Sequence, residues 1–148
     1  DTRKTTPGLR MLEKYAVTVG GGKNHRFGLN SMILIKDNHI RAAGGIEPAV
    51  RLVRAKSSPF LKIEVEAEDL SQVREALAAG VEVIMLDNMT TEMIAEAVRV
   101  ISGQALVEVS GNVTCEQIET LAGLGVDIIS SGALTHSVKA VDISLKLE

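Results

Sequence analysis

The chain has 148 residues, and Lys plus Arg (16) against Asp plus Glu (19) gives a formal net charge of −3. That length favours one domain, and 45% hydrophobic residues are enough to fill a real core. A weakly acidic total excludes a nucleic-acid binder that neutralises phosphates along a basic face, and the single cysteine, Cys115, excludes an internal disulfide or a multi-cysteine metal site. No apolar run approaches the roughly 20 residues needed to span a bilayer and no signal peptide opens the chain, so a soluble, cytoplasmic protein with no membrane partner is expected.

Asp1-Thr2-Arg3-Lys4-Thr5-Thr6-Pro7 has the polar character of a loop leaving a strand, although no strand precedes it. Ala16–Val19 and Met32–Ile35 read as strands, separated by Gly20-Gly21-Gly22 and the polar Lys23-Asn24-His25-Arg26. Ile46–Lys56 reads as a helix with Pro48 in its first turn, where the missing N–H costs little. From there two periods alternate. Strands are expected at Leu61–Glu66, Val81–Leu86, Ala105–Val109 and Val126–Ser130, and helices at Leu70–Leu77, Thr91–Ser102 and Cys115–Ala122, with glycines as stops. Alternating strands and helices mark βαβ units and a parallel sheet, and near-continuous apolar strands place that sheet under cover on both faces or in a closed barrel. With a first strand counted before Asp1 the pattern holds about seven βα units, whereas a closed eight-stranded barrel takes ~250 residues. The pattern is that of a barrel cut at the end of its first strand, as a single domain over residues 1–148.

Position says more than composition. Each expected strand runs into a polar cluster at its carboxyl end, and in parallel α/β folds the ligand site lies there because the loops converge on one mouth. The clusters sort by charge. Arg3, Lys4, His25, Arg26 and Lys36 form a cationic group suited to a substrate with two or more negative charges. Lys36 carries weight because it directly follows the apolar run Met32–Ile35, and a lysine at a buried strand end calls for an anion. Glu66 and Asp87, with Glu64 and Glu108 as further candidates, form an acidic group able to hold Mg²⁺, accept sugar hydroxyls or stabilise a developing cation. Alternation turns Glu64 and Glu66 to the same face, and Glu66 is preferred as the one nearer the loop. Salt bridges between the two groups are the plainer reading of the same residues. Ser110-Gly111-Asn112 and Ser130-Ser131-Gly132-Ala133, in the last two units, suit a phosphate: glycines admit backbone N–H groups, serines add hydroxyls, and helix N-termini add partial positive charge.

Other residues take the structural reading. Cys115 has no His/Asp pattern around it and reads as inert, His39 as a cap or a ligand contact, His136 as a rim residue, and Met85, Met89 and Met93 as core filler. Gly20–Gly22 lacks the spacing of a dinucleotide-binding loop.

Asp1-Thr2-Arg3-Lys4-Thr5-Thr6-Pro7-Gly8-Leu9-Arg10, Gly20-Gly21-Gly22-Lys23-Asn24-His25-Arg26 and Leu34-Ile35-Lys36-Asp37-Asn38-His39-Ile40 closely resemble the quinolinate phosphoribosyltransferases. Glu64-Val65-Glu66, Leu86-Asp87-Asn88-Met89, Glu108-Val109-Ser110-Gly111-Asn112 and Ser131-Gly132-Ala133-Leu134-Thr135-His136 extend the likeness from end to end. A related branch, the ModD-like transferases, shares the Arg-Lys-Thr and His-Arg strings but not Lys-Asp-Asn-His. The resemblance implies an open seven-stranded TIM-like α/β barrel with its first strand truncated. It implies transfer of phosphoribosyl from 5-phosphoribosyl-1-pyrophosphate to quinolinate, with Mg²⁺, giving nicotinate mononucleotide, CO₂ and pyrophosphate. Arg3, His25, Arg26 and Lys36 would hold the quinolinate carboxylates, with Lys4 on the pyrophosphate or phosphoribosyl side. Glu66 and Asp87 would bind ribose hydroxyls and Mg²⁺ and stabilise an oxocarbenium-like transition state. Ser110, Gly111, Asn112, Ser131, Gly132 and Ala133 would cradle the 5-phosphate. Family members are dimers whose N-terminal sandwich domain, absent from this sequence, closes the neighbouring mouth. A homodimer or higher oligomer is therefore expected, with that domain as a separate chain or with an inactive truncated form. Two non-family readings stay beside this one: a binding-only barrel fragment for anions and phosphosugars, and a purely structural fragment.

Overall fold

The computed structural model describes residues 1–147. Five parallel strands lie in sequence order in one sheet: β1 (Ile33–Ile35), β2 (Ile63–Ala67), β3 (Val83–Asp87), β4 (Leu106–Ser110) and β5 (Ile128–Ile129). Seven helices accompany it among the described residues: α1 (Arg10–Val19), α2 (Asp37–Ala43), α3 (Ile46–Arg54), α4 (Leu70–Ala78), α5 (Thr91–Ile101), α6 (Cys115–Gly123) and α7 (Ala133–His136). Among the described residues no helix is long and apolar enough to cross a membrane.

Local chemistry starts these helices where the sequence says it should. The Asp69 carboxylate accepts the Gln72 N–H (2.8 Å) ahead of α4, and the Thr90 hydroxyl accepts the Met93 N–H (3.3 Å) ahead of α5. The N-terminus of α3 follows Gly45 and borrows its cap from a neighbour: Glu75 Oε1, on α4, accepts the Ile46 N–H at 2.8 Å. His39 proves to be a cap, since its Nδ1 accepts the Lys36 N–H (3.0 Å) at the start of α2.

Ala16–Val19, expected as a strand, is the last part of α1. The residues between Arg10 and Val19 follow a helical period, but the buried positions are Lys14 and Val17 while Met11, Leu12, Tyr15 and Val19 face outward. The β-branched run therefore completes a helix instead of adding to the sheet.

The strand register sorts the two faces of the sheet. Val65, Ile84 and Val107 pair in one row, and Ala67, Leu86, Val109 and Ile129 in another. These side chains, with Ile35 and Ile63, pack on Ile46, Ala49 and Val50 of α3, Val73 and Ala76 of α4, and Ile94, Ala97 and Ile101 of α5. The alternate rows hold Glu64, then Glu66–Met85–Glu108, then Asp87–Ser110. One face of the sheet is thus wholly apolar, while the other mixes Leu34, Val83 and Met85 with all of the sheet's carboxylates, and that second face is where a site can form. Thr135 Oγ1 on α7 donates to Lys4 O at 2.6 Å, so the N-terminal segment and the end of the sheet meet over that face.

Candidate active site

A cavity of about 440 Å³ opens at the carboxyl ends of the strands. It brings together most of what the sequence singles out: Arg3, Lys4, His25, Arg26 and Lys36 from the N-terminal loops, Glu66 and Asp87 from β2 and β3, and Ser110, Gly111, Asn112 and Gly132 from the last loops. Ser131 and Ala133 do not line it; Ser130 does. Parity explains the difference, because Ser130 continues the inward row of β5 and its neighbour points away.

On the cationic side, Lys36 Nζ is paired with Glu66 Oε2 across β1 and β2. Arg26 reaches back with Nη1 to Met32 O at 3.3 Å. Burial, and then the charge of Arg3, push the Arg26 pKa down, the expected result of clustering guanidinium groups. The loops carrying these groups are tied by a contact that sequence reasoning missed. Lys14 Nζ, 3% exposed, sits 2.8 Å from Asp1 Oδ2 and 3.4 Å from both Thr2 O and His25 O. Asp1 Oδ1 in turn accepts the His25 N–H at 2.6 Å. One buried ion pair therefore fixes the backbone on both sides of the cationic cluster. A lysine on a helix flanked by exposed apolar residues is the only signal the sequence carries for it.

The acidic side has an orienting network of its own. Asn88, at φ 53°, donates from Nδ2 to Asp87 Oδ2 (2.8 Å) and accepts at Oδ1 from Asn112 Nδ2 (3.2 Å). Gly111, at φ +97°, lies so close to Asn88 that a Cβ would stand 2.9 Å from the Asn88 nitrogen. Only glycine lets the last-but-one loop approach the Asp87 turn. Asn88 was legible merely as the residue after a strand-end aspartate. Met85, expected as core, lines the cavity between Glu66 and Glu108. His136 lies over Gly132, where a Cβ would meet its ring.

Beneath the cationic group, Glu64 and Glu108 are wholly buried, 0% and 1% exposed. His25 Nε2 lies 3.3 Å from Glu64 Oε2 and 3.4 Å from Glu108 Oε1. Glu108 accepts a hydrogen bond from the Ser130 hydroxyl (2.6 Å), while His25 Nε2 and both Glu64 oxygens have no hydrogen-bond partner and meet as close charged groups. Burial pushes the Glu64 carboxyl up. Burial acts on Glu108 in the same sense, but His25 and Ser130 outweigh it and the net direction is down. The ligand atoms of His25, Glu64 and Glu108 lie within 4.8 Å of one another, the spacing of a metal cage. The ring speaks against one: in its neutral form Nδ1 accepts the Arg26 N–H at 2.9 Å and the proton sits on Nε2, and in its charged form both nitrogens are protonated, so Nε2, the atom a metal would need, carries a proton in either state.

A parallel sheet with a cavity at its strand ends, lined by cationic, acidic and glycine-serine residues, defines an α/β protein of the class that gathers its polar loops at one mouth. The model of one such family, "Quinolinate phosphoribosyl transferase, C-terminal domain", matches residues 1–146, and the chain belongs to that family. A probable carboxylating nicotinate-nucleotide pyrophosphorylase of Bacillus subtilis is 52% identical over 145 residues, 98% of this chain and 50% of that protein. The chloroplastic enzyme of that name from Arabidopsis thaliana is 49% identical over an alignment of 166 positions covering 100% of this chain and 48% of the relative. The crystal structure of NadC from Streptococcus pyogenes superimposes with a TM-score of 0.92 at 51% identity, covering 99% of this chain and 51% of that one. The chain spans about half the length of the curated relatives it matches.

Proposed function

We propose that this chain carries the reaction site of a carboxylating quinolinate phosphoribosyltransferase, which makes nicotinate mononucleotide, CO₂ and pyrophosphate from quinolinate and 5-phosphoribosyl-1-pyrophosphate for NAD biosynthesis. The observation that carries the reading is the ordering of charge around one cavity in a member of this family: cations from the N-terminal loops, carboxylates from the middle strands, small hydroxyl and glycine residues from the last loops.

Each third has a task. Arg3, Arg26 and Lys36, with His25 behind them, hold the two carboxylates of quinolinate and aim its ring nitrogen at the anomeric carbon, a positioning effect. Lys4 faces the phosphoribosyl side. As the anomeric carbon–oxygen bond to pyrophosphate breaks, positive charge grows on the ribose, and the Glu66 and Asp87 carboxylates stabilise it. The new carbon–nitrogen bond leaves the pyridine nitrogen positive, which favours loss of the adjacent carboxylate as CO₂; the electron pair left on the ring carbon is stabilised by that nitrogen and takes a proton from solvent. Ser110, Gly111, Asn112 and Gly132, helped by Ser131 and Ala133 through their backbone, receive the 5-phosphate.

Mg²⁺ belongs to the same proposal. Two hard carboxylate groups on neighbouring strands at the wall of a polar cavity suit an ion that keeps several waters and shares its shell with substrate phosphates. Glu66 and Asp87 would hold it, partly through substrate, and it would supply charge neutralisation of the pyrophosphate. The sheet is further proposed to be the wall of an open seven-stranded barrel, a reading supported by the polar inner rows and by the Thr135–Lys4 contact across the mouth. Homodimerisation, completion of the mouth by an N-terminal domain and a cytoplasmic location follow the family likeness.

The test is formation of nicotinate mononucleotide by the intact protein given quinolinate, phosphoribosyl pyrophosphate and Mg²⁺, with quinolinate binding followed by calorimetry. Product release together with saturable binding is expected. Use of phosphoribosyl pyrophosphate with indifference to quinolinate would point to a ModD-like transferase instead, and binding without product to a binding-only domain.

A further inference from the structure

We infer that Glu64 and Glu108 are positioning residues for substrate recognition: from β2 and β4 they bracket His25 and set both the orientation and the charge of its ring at the cavity wall. The inference rests on the proposed quinolinate site and names what shapes it from below.

The argument is one of charge in a dry place. Two carboxylates with essentially no solvent contact face one ring nitrogen at 3.3 and 3.4 Å. Leaving buried charges unpaired is strongly unfavourable, so a positive ring offsets one of the two carboxylates, while the Arg26 guanidinium, on whose pKa the charge of Glu64 acts upward, bears on the other. Asp1 accepts the His25 backbone N–H, and the Lys14 ammonium lies 3.4 Å from the His25 carbonyl; both act on the main chain. Ser130 stands behind Glu108. Against a second ring proton stands the Arg26 amide hydrogen on Nδ1, 2.9 Å away, and that is a dipole set against two full charges. The balance favours the imidazolium: Glu108 first, and then Glu64, push the His25 pKa up to about 9. The ring lines the cavity with its side chain 12% exposed, so its charge is felt by an anion there while its position is held from beneath. A histidine in open loop surroundings would lose that charge above about pH 6.5. This one keeps it.

The experiment has two independent readings on the intact protein. The first is the NMR titration of the His25 ring in wild type, Glu64→Gln and Glu108→Gln. The wild-type ring is expected to titrate well above the ordinary histidine range, and each variant to lower that value by about one unit or more. Glu108→Gln keeps an acceptor for Ser130, so it is the variant least prone to misfolding. The second is quinolinate affinity by calorimetry at about pH 6 and about pH 8.5. Each folded variant should bind at least roughly threefold more weakly than wild type at the higher pH and recover towards wild type at the lower, where the ring is protonated without help. A merely structural role would weaken binding equally at both. A wild-type ring titrating near the ordinary value, or an equal loss at both pH values, overturns the inference. The ring titration needs no quinolinate, so failure of the proposed substrate and failure of this inference are told apart.

Discussion

Lys14→Met tests whether the cationic loops are held by one buried ion pair. Methionine keeps most of the lysine stem and removes only the charge, so packing against Val17 and its surroundings is largely conserved. The loss then falls on Asp1, whose carboxylate side chain is 0% exposed and keeps only the His25 N–H as a partner. Breaking a buried pair by removing one member costs ~3–5 kcal/mol, and the surviving 2.6 Å hydrogen bond puts this case near the lower end. For a chain of 148 residues each kcal/mol moves the midpoint by about 2–4 °C, so Tm should fall by roughly 6–12 °C. Urea unfolding followed by circular dichroism gives the same quantity as a lowered midpoint at unchanged slope. The double variant Asp1→Asn with Lys14→Met should be less damaged than Lys14→Met alone, because the orphaned carboxylate has gone too. A Lys14→Met protein within about 1 kcal/mol of wild type would mean that Asp1 finds water or a proton, and that the pair does not organise the loops.

Lys36→Ala removes a charge-assisted contact to a substrate carboxylate worth ~1.5–3 kcal/mol, so quinolinate affinity by calorimetry should drop by roughly one to two orders of magnitude; unchanged affinity would remove Lys36 from the pocket. Asp87→Asn should lower kcat on the order of 10²–10³ with quinolinate affinity kept, since the carboxylate acts on charge that develops only during reaction. Full turnover by that variant would contradict the role. Gly111→Ala forces a side chain into φ +97° and against Asn88, which should cost ~1–3 kcal/mol and raise the KM for phosphoribosyl pyrophosphate more than that for quinolinate. A wild-type Tm and KM would show the approach to be looser than drawn. The His25 pKa is raised from 6.5 to about 9, so its stabilisation is complete below about 6.5 and is lost as pH rises through about 9. Unfolding free energies from urea titrations across that window should decline with pH by up to ~3 kcal/mol, and Glu108→Gln should flatten the decline.

Much of this architecture is written in two periodicities. From Leu61 onward the strands are near-continuously apolar with carboxylates set at alternate positions in β2 and β4, and the rows that result, Val65–Ile84–Val107 against Glu66–Met85–Glu108, are the two faces of the sheet. The polar clusters after each strand were legible for the same reason, and most of their members converge on the cavity. Failure came where one element broke its own pattern. In α1 the apolar residues Met11, Leu12, Tyr15 and Val19 face outward and Lys14 faces inward, so the stripe that would announce a buried helix face is reversed. Ala16–Val19, judged on β-branching alone, then looks like a strand. Ser131 and Ala133, taken from the family likeness, flank the lining residues Ser130 and Gly132 without lining the cavity themselves. Asn88 and the His25–Glu64–Glu108 cluster were out of reach for another reason: each joins segments far apart in the chain, and no local spacing records the meeting.

The charge pairs around the cavity also set a condition on ligand entry. Lys36 is neutralised by Glu66, and His25 by Glu64 and Glu108, but the two arrangements differ in access. The Lys36 side chain is 44% exposed and its pair lies at the cavity surface, where an incoming carboxylate competes directly with Glu66 and the displaced glutamate gains water. The His25 cluster is sealed below, so an anion above it meets a cation whose counter-charges cannot turn away. An exchangeable pair at the rim and a fixed one in the wall divide the work. On the proposed reaction the first would release a carboxylate towards the middle of the cavity as the anion binds; the second holds the His25 ring in place at the wall, with its counter-charges beneath it. Glu66 freed in this way stands beside Asp87 on the adjacent strand, where a developing positive charge on a ribose would need it.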